Sequence, residues 1–419
     1  MTIANIISAI GNNSSVYPLI VRDCGIEVPS KIVLTYNQNK KESDGVAYLA
    51  ARERFLDEYA TSAVWLGGIP FVGKIADYII KKKGFNPDVN LKLFKEDNFQ
   101  GIDCNIKKFK DLAPDAVNDL LKAKGSKKTY EKLLAGKFAA STAIPILFMG
   151  FILPKMIFAS SAKKIEALRQ KEKTQMNFLE KDKFLKNANP TFTGSWIAKA
   201  ANFSAQDKMA VTDGGYALGR VATARNKNET MDISFKMAGM MFLNFVAPKW
   251  IEKGLNKLTG VVLDPVMLAD KKFIVKAKNN LLQLPKSDRA EDLFEFIDNP
   301  ANKNTMFIKY AKNFKKLAMF DNGIRDPRAY VDVKNLGQFR NDIESFSTSI
   351  KGLSRDAYKA VIKKARVAKT ANILTNVGLS SFLLAYCLPK AQFAFRKIVT
   401  GSDLEPGLAP AEKIVDNKS

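Results

Sequence analysis

Few residues in this 419-residue chain could do chemistry, and those that come closest each fall short of a complete site. Gly68-Ile-Pro-Phe-Val-Gly73-Lys74-Ile75 matches the GxxxxGK spacing of a phosphate-cradling loop. Such a loop needs backbone N–H donors, a preceding strand and a Ser or Thr after the lysine to hold magnesium. Here Pro70 removes a donor, Ile75 stands in the hydroxyl position, and the preceding ERFLDEYATSAVW has helical spacing. The spacing therefore predicts a glycine-rich break in a helix. Asp288, Glu291, Asp292, Glu295 and Asp298 could be taken for a carboxylate metal site. Asp288 with Glu291 fits a helix-capping box instead, with Leu293, Phe294 and Ile297 on the buried side.

The chain has no histidine, which removes His-based triads, His general bases and His-containing metal sites. Cys24, Cys104 and Cys387 are far apart, so a disulfide framework or zinc ribbon is not expected. No cofactor is predicted. Lys and Arg number 66 against 42 Asp and Glu, a net charge of +24. That excess calls for an anionic partner, either a lipid surface or nucleic acid. The segment MFIKYAKNFKKLAMF (306–320) concentrates the pattern: Phe307, Tyr310, Phe314 and Leu317 recur at helical steps, with Lys309, Lys312, Lys315 and Lys316 opposite. A helix of this kind lies on anionic lipid, stacks on nucleic-acid bases, or packs its aromatic stripe into a core.

The elements that must carry these residues are dominated by four apolar runs, each interrupted by proline. They centre on Pro70, Pro154, Pro248 and Pro389, near 59–80, 138–162, 233–251 and 371–395; lysine follows directly in the last three, as Lys155, Lys249 and Lys390. Phe138 to Leu153 and Ala371 to Leu388 carry no charge, and each extends to the ~20 apolar residues that a bilayer span requires. The Pro70 run holds Lys74 and Asp77 and is the weakest of the four. Each proline predicts a kink, because it lacks the N–H and its ring crowds the carbonyl four residues back. A lysine after it belongs near the headgroups. Basic residues flank the runs on both sides, so the positive-inside rule does not assign an orientation. The N-terminus lacks the basic and apolar regions of a secretory signal, so an uncleaved run near Pro70 or Pro154 would serve as anchor.

Internal similarity points to two related two-segment units. Pro248-Lys249 precedes Thr259-Gly260 by the same distance as Pro389-Lys390 precedes Thr400-Gly401, and the first and third runs leave through similar GFNPDV and GVVLDPV sequences. The domain expectations follow: an irregular or short-stranded cap over 1–45, a helical unit over 46–185, a Gly/Asn/Ser-rich linker over 186–230 with a turn at Asp213-Gly214-Gly215, a second helical unit over 231–400, and a disordered tail over 401–419. Gly215 to Gly219 has the GxxxG spacing but lies outside a long apolar run, which suits a loop or small-residue packing rather than helix dimerisation.

The expected fold class is all-α, with Pro-broken apolar segments in or against a membrane and basic amphipathic helices on its cytoplasmic face. The expected function is non-catalytic: a structural or interaction protein of the inner or plasma membrane, bound to anionic lipid and open to contact with other membrane proteins. A small transporter or channel built from broken helices is the first alternative. A soluble basic helical protein binding nucleic acid is the second.

Overall fold

The computed structural model describes residues 2–11, 20–41, 43–96, 98–171 and 205–401, and all regular structure among them is helical. Residues 186–204 of the expected linker and 402–419 of the expected tail lie outside the described residues. The expected cap is helical too where described, over Ile3–Gly11, Ile20–Glu27 and Val28–Asn39. SKIVLTY there lies on a helix that packs on the rest of the molecule and is too short for periodicity to separate a strand from a buried helix, while Tyr17 to Leu19 of YPLIV lie outside the described residues.

Among the described residues, three helices are long and apolar enough to cross a membrane: Asp44–Lys82, Lys127–Ser161 and Arg355–Thr400. The third apolar run is instead divided between Lys227–Phe245 and Ala247–Thr259. Side-chain caps start the helices at 44, 227 and 355. Ser43, Asn226 and Ser354 each accept a backbone N–H three residues on. Left-handed glycines stop them: Gly84 at φ 81°, Gly260 at 66° and Gly401 at 72°.

At three of the prolines the helix does not stop but widens. Val64–Gly68, Phe148–Ile152 and Leu383–Cys387 are π-helical turns that end two residues before Pro70, Pro154 and Pro389. In each, the residue before the proline donates its N–H to the carbonyl five back: Ile69 to Val64, Leu153 to Phe148, Leu388 to Leu383. The extra residue in the turn moves backbone away from the pyrrolidine ring and keeps the rod continuous. At Pro248 the chain breaks instead, with Val246 at φ −106° and ψ −56°. The GxxxxGK stretch lies wholly within these helical turns and forms no loop.

The long helices pair as two antiparallel hairpins. Arg52 meets Ser160 near one end of the 44–82 and 127–161 pair, and Lys137 meets Asp77 near the other. In the second pair Arg396 and Gln392 meet Asp232 at one end, and Lys369 and Asn372 meet Asn256 and Thr259 at the other. Gly239 lies under Leu388 between them, with no room for a Cβ. Ala205–Ala222, expected as linker and turn, is a helix that runs parallel to the 127–161 rod. Its Gly219 faces Gly150 so closely that a Cβ would stand 2.8 Å from the Gly150 Cα, and a Cβ on Gly215 would strike Ile146 at 2.4 Å. The glycines that resembled a linker by composition are the contact that lets two helices touch backbone to backbone.

A second region is built from what the hairpins leave out. Residues 85–125 and 260–350 fold together into a body of short helices. One apolar core joins Met267, Phe273, Leu293, Phe307, Leu336 and Ile343, and a smaller one surrounds Leu93, Leu120 and Tyr130. Gln100 stitches the two insertions by donating to the Val331 carbonyl and accepting the Val331 N–H, at 3.0 and 2.9 Å. Arg325, 1% exposed, lies between Phe109 and Phe294 and pairs with Asp298. Both insertions leave and return at the same end of the hairpins, called here the body end; the other is the charged end.

Candidate functional site: a buried ionic network

The charged end contains six acidic and six basic side chains folded against one another inside the helical bundle. Glu58 is bonded by Lys236 at 2.8 Å and neighboured by Lys31 at 3.6 Å and Arg54 at 3.4 Å; Lys31 also pairs with Glu27. Asp57 accepts from Arg220 at 3.1 Å. Arg225 bridges Glu229 at 2.9 Å and Glu53 at 3.4 Å, with its guanidinium 4.1 Å above the Phe158 ring. Asp232 receives both Nε and Nη2 of Arg396 at 2.9 Å, and Gln392 at 2.7 Å. Glu27, Lys31, Asp57, Asp232, Lys236 and Arg396 are buried.

These residues arrive from six helical stretches and, for Arg225, from the turn between 205–222 and 227–245. Glu53, Arg54, Asp57 and Glu58 stand at steps of three and four on 44–82, so they share one face. Glu229, Asp232 and Lys236 do the same on 227–245. Removing an ion from water costs several kcal/mol even after relaxation, so such a cluster persists only with every charge opposed. A polar cavity of about 40 Å³ lies among Asp57, Arg220, Glu229 and Lys236, which is room for a few waters. Three polar atoms of residues that line it, Nε and Nη1 of Arg220 and Oδ1 of Asp57, have no protein partner.

The outer surface of the same bundle is largely apolar. Phe55, Phe71, Tyr78, Leu147, Leu379 and Phe382 are all more than a third exposed, and Trp250, T-stacked on Phe242, is 66% exposed. Exposed Lys82, Lys128, Lys257, Lys359, Lys363 and Lys364 ring the bundle at the body end.

The residues singled out from sequence do not come together as one site. Pro154 and Pro389 are buried at their π turns, Pro70 is exposed and Pro248 half-buried. Lys155, Lys249 and Lys390 are exposed along the rods, Lys390 over the Tyr386 ring. The basic helix expected over 306–320 ends at Asn313, because Lys315 adopts φ 54°. Its Phe307 and Tyr310 belong to the body's core, while Lys309 pairs with Asp270, Lys312 with Asp321 and Lys316 with Asn335. Asp270 is pushed up by partial burial, but bonds from Lys309, Tyr310 and two backbone N–H groups outweigh this and hold it at about 2. Desolvation lowers Lys316 from the usual lysine range. The capping box expected at Asp288 is not formed: Asp288 accepts from Asn341, and Asp292 takes the Ser287 hydroxyl.

Sequence reading missed the ionic network. The signal was present in the carboxylates and bases at i, i+3 and i+4 next to apolar runs, but each helix alone resembles a solvated face. Among the described residues, no group of His, Cys, Asp and Glu is arranged to hold a metal ion. No known protein family, curated protein or solved structure matches this chain.

Proposed function

We propose that this chain is an integral membrane protein whose two helical hairpins fix a water-facing helical body to one face of an anionic bilayer. One observation carries the reading: the bundle buries a network of acids and bases and displays aromatic and aliphatic side chains on its outside. Water would impose the reverse, since it solvates charge and expels apolar surface. Lipid tails reward this arrangement, because charged groups in a bilayer turn toward the bundle interior and pair. Tyr78 and Trp250, exposed near the body end, suit the interfacial belt, and the lysines around them suit anionic headgroups.

The hairpins are two copies of one plan: a rod entering the body end, an inserted part of the body, and a rod returning. Supporting this, the outgoing rods end at left-handed Gly84 and Gly260 with Pro87 and Pro265 soon after. Both returning rods place Leu-Pro-Lys directly after a π turn, at 153–155 and 388–390. The role is anchoring and lipid contact, with other membrane proteins as partners for the exposed body.

The test is extraction. Membranes carrying the full chain should retain it through alkaline carbonate and high salt and release it only to detergent. A chain that stays monodisperse in detergent-free buffer would overturn the proposal and return the +24 charge to a nucleic-acid reading.

A further inference from the structure

Beyond anchoring, and resting on the reading that the bundle lies in a bilayer, we propose that the outer face of helix Ala247–Thr259 is a docking site for an acidic transmembrane helix of another membrane protein.

The face has two ridges. Lys249, Lys253 and Lys257 stand four residues apart, and so do Trp250, Gly254 and Leu258 beside them; all six are exposed. Trp250 is 66% and Leu258 83% exposed, and a Cβ placed on Gly254 would meet no atom within 4 Å. The opposite side of the helix packs on the 355–400 rod, where the Lys369 ammonium donates to Asn256 at 2.9 Å. Glu252, the only carboxylate of this helix, turns to that side and lines a small polar pocket with Asn256 and Lys369. Among the described residues, none of the three lysines on the outer ridge has a hydrogen bond, an ion pair or an aromatic ring for its ammonium.

Depth sets these lysines apart. Lys257 belongs to the collar at the body end. At the helical rise per residue, Lys253 lies about 6 Å and Lys249 about 12 Å farther along the rod. Cα–Cβ bonds tilt toward a helix N-terminus, which here points away from the body end. The stems therefore set out toward the hydrocarbon rather than toward the headgroups. Lys249 is beyond the phosphates that serve the collar, and an unpaired ammonium at that depth is costly. The outsides of the returning rods avoid this cost, because 138–152 and 371–386 carry no charge. On the 44–82 rod the corresponding ridge is Pro70, Lys74 and Tyr78, a single charge between uncharged neighbours.

Countercharge at that depth has to come from protein. A helix with carboxylates four residues apart pairs with Lys249 and Lys253, and its apolar side fills the notch over Gly254 between Trp250 and Leu258, where a backbone can approach closely. A second copy of this chain does not fit, because among the described residues no rod shows a run of exposed carboxylates.

The probe is a synthetic helix of about 20 leucines and alanines with glutamates four apart on one face, and a twin with glutamine at those positions. Full-length protein with a donor dye at its N-terminus is reconstituted with each acceptor-labelled peptide in phosphatidylcholine vesicles, and energy transfer is followed against peptide density. The glutamate peptide should bind at least about tenfold more tightly than its twin. Lys249→Gln with Lys253→Gln should remove that preference, while Lys359→Gln with Lys363→Gln in the collar should keep it; all four side chains are exposed, so folding is not at stake. Flotation of each variant is read in parallel. Equal binding of the two peptides by protein that floats, or a preference that survives Lys249→Gln with Lys253→Gln, would overturn the docking site alone. Loss of the preference on adding phosphatidylglycerol would assign the face to lipid phosphate, and lysine-dependent transfer between labelled copies of the chain would assign it to a second copy; either result overturns the proposal. Failure to float would overturn membrane insertion and the docking site together.

Discussion

The bundle and the body are made from the same twenty residue types in opposite arrangements. In the body, Phe273, Leu293 and Phe307 are shielded and most lysines face out, as water requires. In the bundle, Asp232, Lys236 and Arg396 are shielded while Phe382, Leu379 and Trp250 face out. The body keeps one comparable ion pair, Arg325 with Asp298, and sandwiches it between aromatic rings. The bundle keeps a whole network. On the proposed reading, the two regions answer to different solvents, and the boundary between them is where the lysine collar stands.

The largest effects should come from the two interiors. Phe273→Ala should cost the body about 3–5 kcal/mol through a lost aromatic side chain and the cavity left behind, measured by chemical unfolding in detergent. Phe382→Ala, the same change on the outside of the bundle, should fall within about 0.5 kcal/mol. Equal losses at both positions would break the comparison. Asp232→Leu should cost the bundle about 3–5 kcal/mol by stranding Arg396, while the double variant Asp232→Leu with Arg396→Leu should recover most of that.

The outer surfaces give the next contrast. Phe382→Lys, near the centre of the 355–400 rod, should raise the cost of membrane insertion by roughly 3 kcal/mol, read in a glycosylation-based insertion assay. Val275→Lys on the body, 53% exposed, should change stability by no more than about 0.5 kcal/mol. A smaller effect is expected at the helix contact: Gly219→Val should cost about 1–3 kcal/mol by overpacking against Gly150, with Gly136→Val, which meets open space, as the control.

The smallest is a pH effect in the body. Asp270 is held at about 2, below the ~3.9 of an unfolded chain. A depressed carboxylate stabilises the fold fully above the unfolded value and loses that contribution as pH falls through the folded one. Thermal unfolding should therefore show the wild-type advantage over Asp270→Asn intact at pH 7, shrinking between about pH 4 and pH 2.

Much of the architecture was legible in the residues themselves. The uncharged runs 138–153 and 371–388 predicted long rods, and rods are there. The prolines predicted a disturbance in each helix, though the sequence could not distinguish the π turn that absorbs Pro389 from the break at Pro248. The difference depends on whether backbone and neighbours leave room for one more residue in the turn. The stretch around Gly215 and Gly219 was placed in a linker because composition reports flexibility, whereas Ile146 and Gly150 on another helix fix the use of these two glycines. The aromatic stripe at 306–320 had the period of a surface-binding helix; which side faced water depended on Phe339 and Phe273 packing against it.

Local sequence determined what depends on neighbours in the chain: helix period, caps, the positions of kinks, and the length of apolar run that could match a bilayer. Only the tertiary structure decided what depends on residues far apart, above all that acids and bases from several helices converge to neutralise one another. A charge has no partner until the chain folds, and a helix face has no inside until another helix covers it.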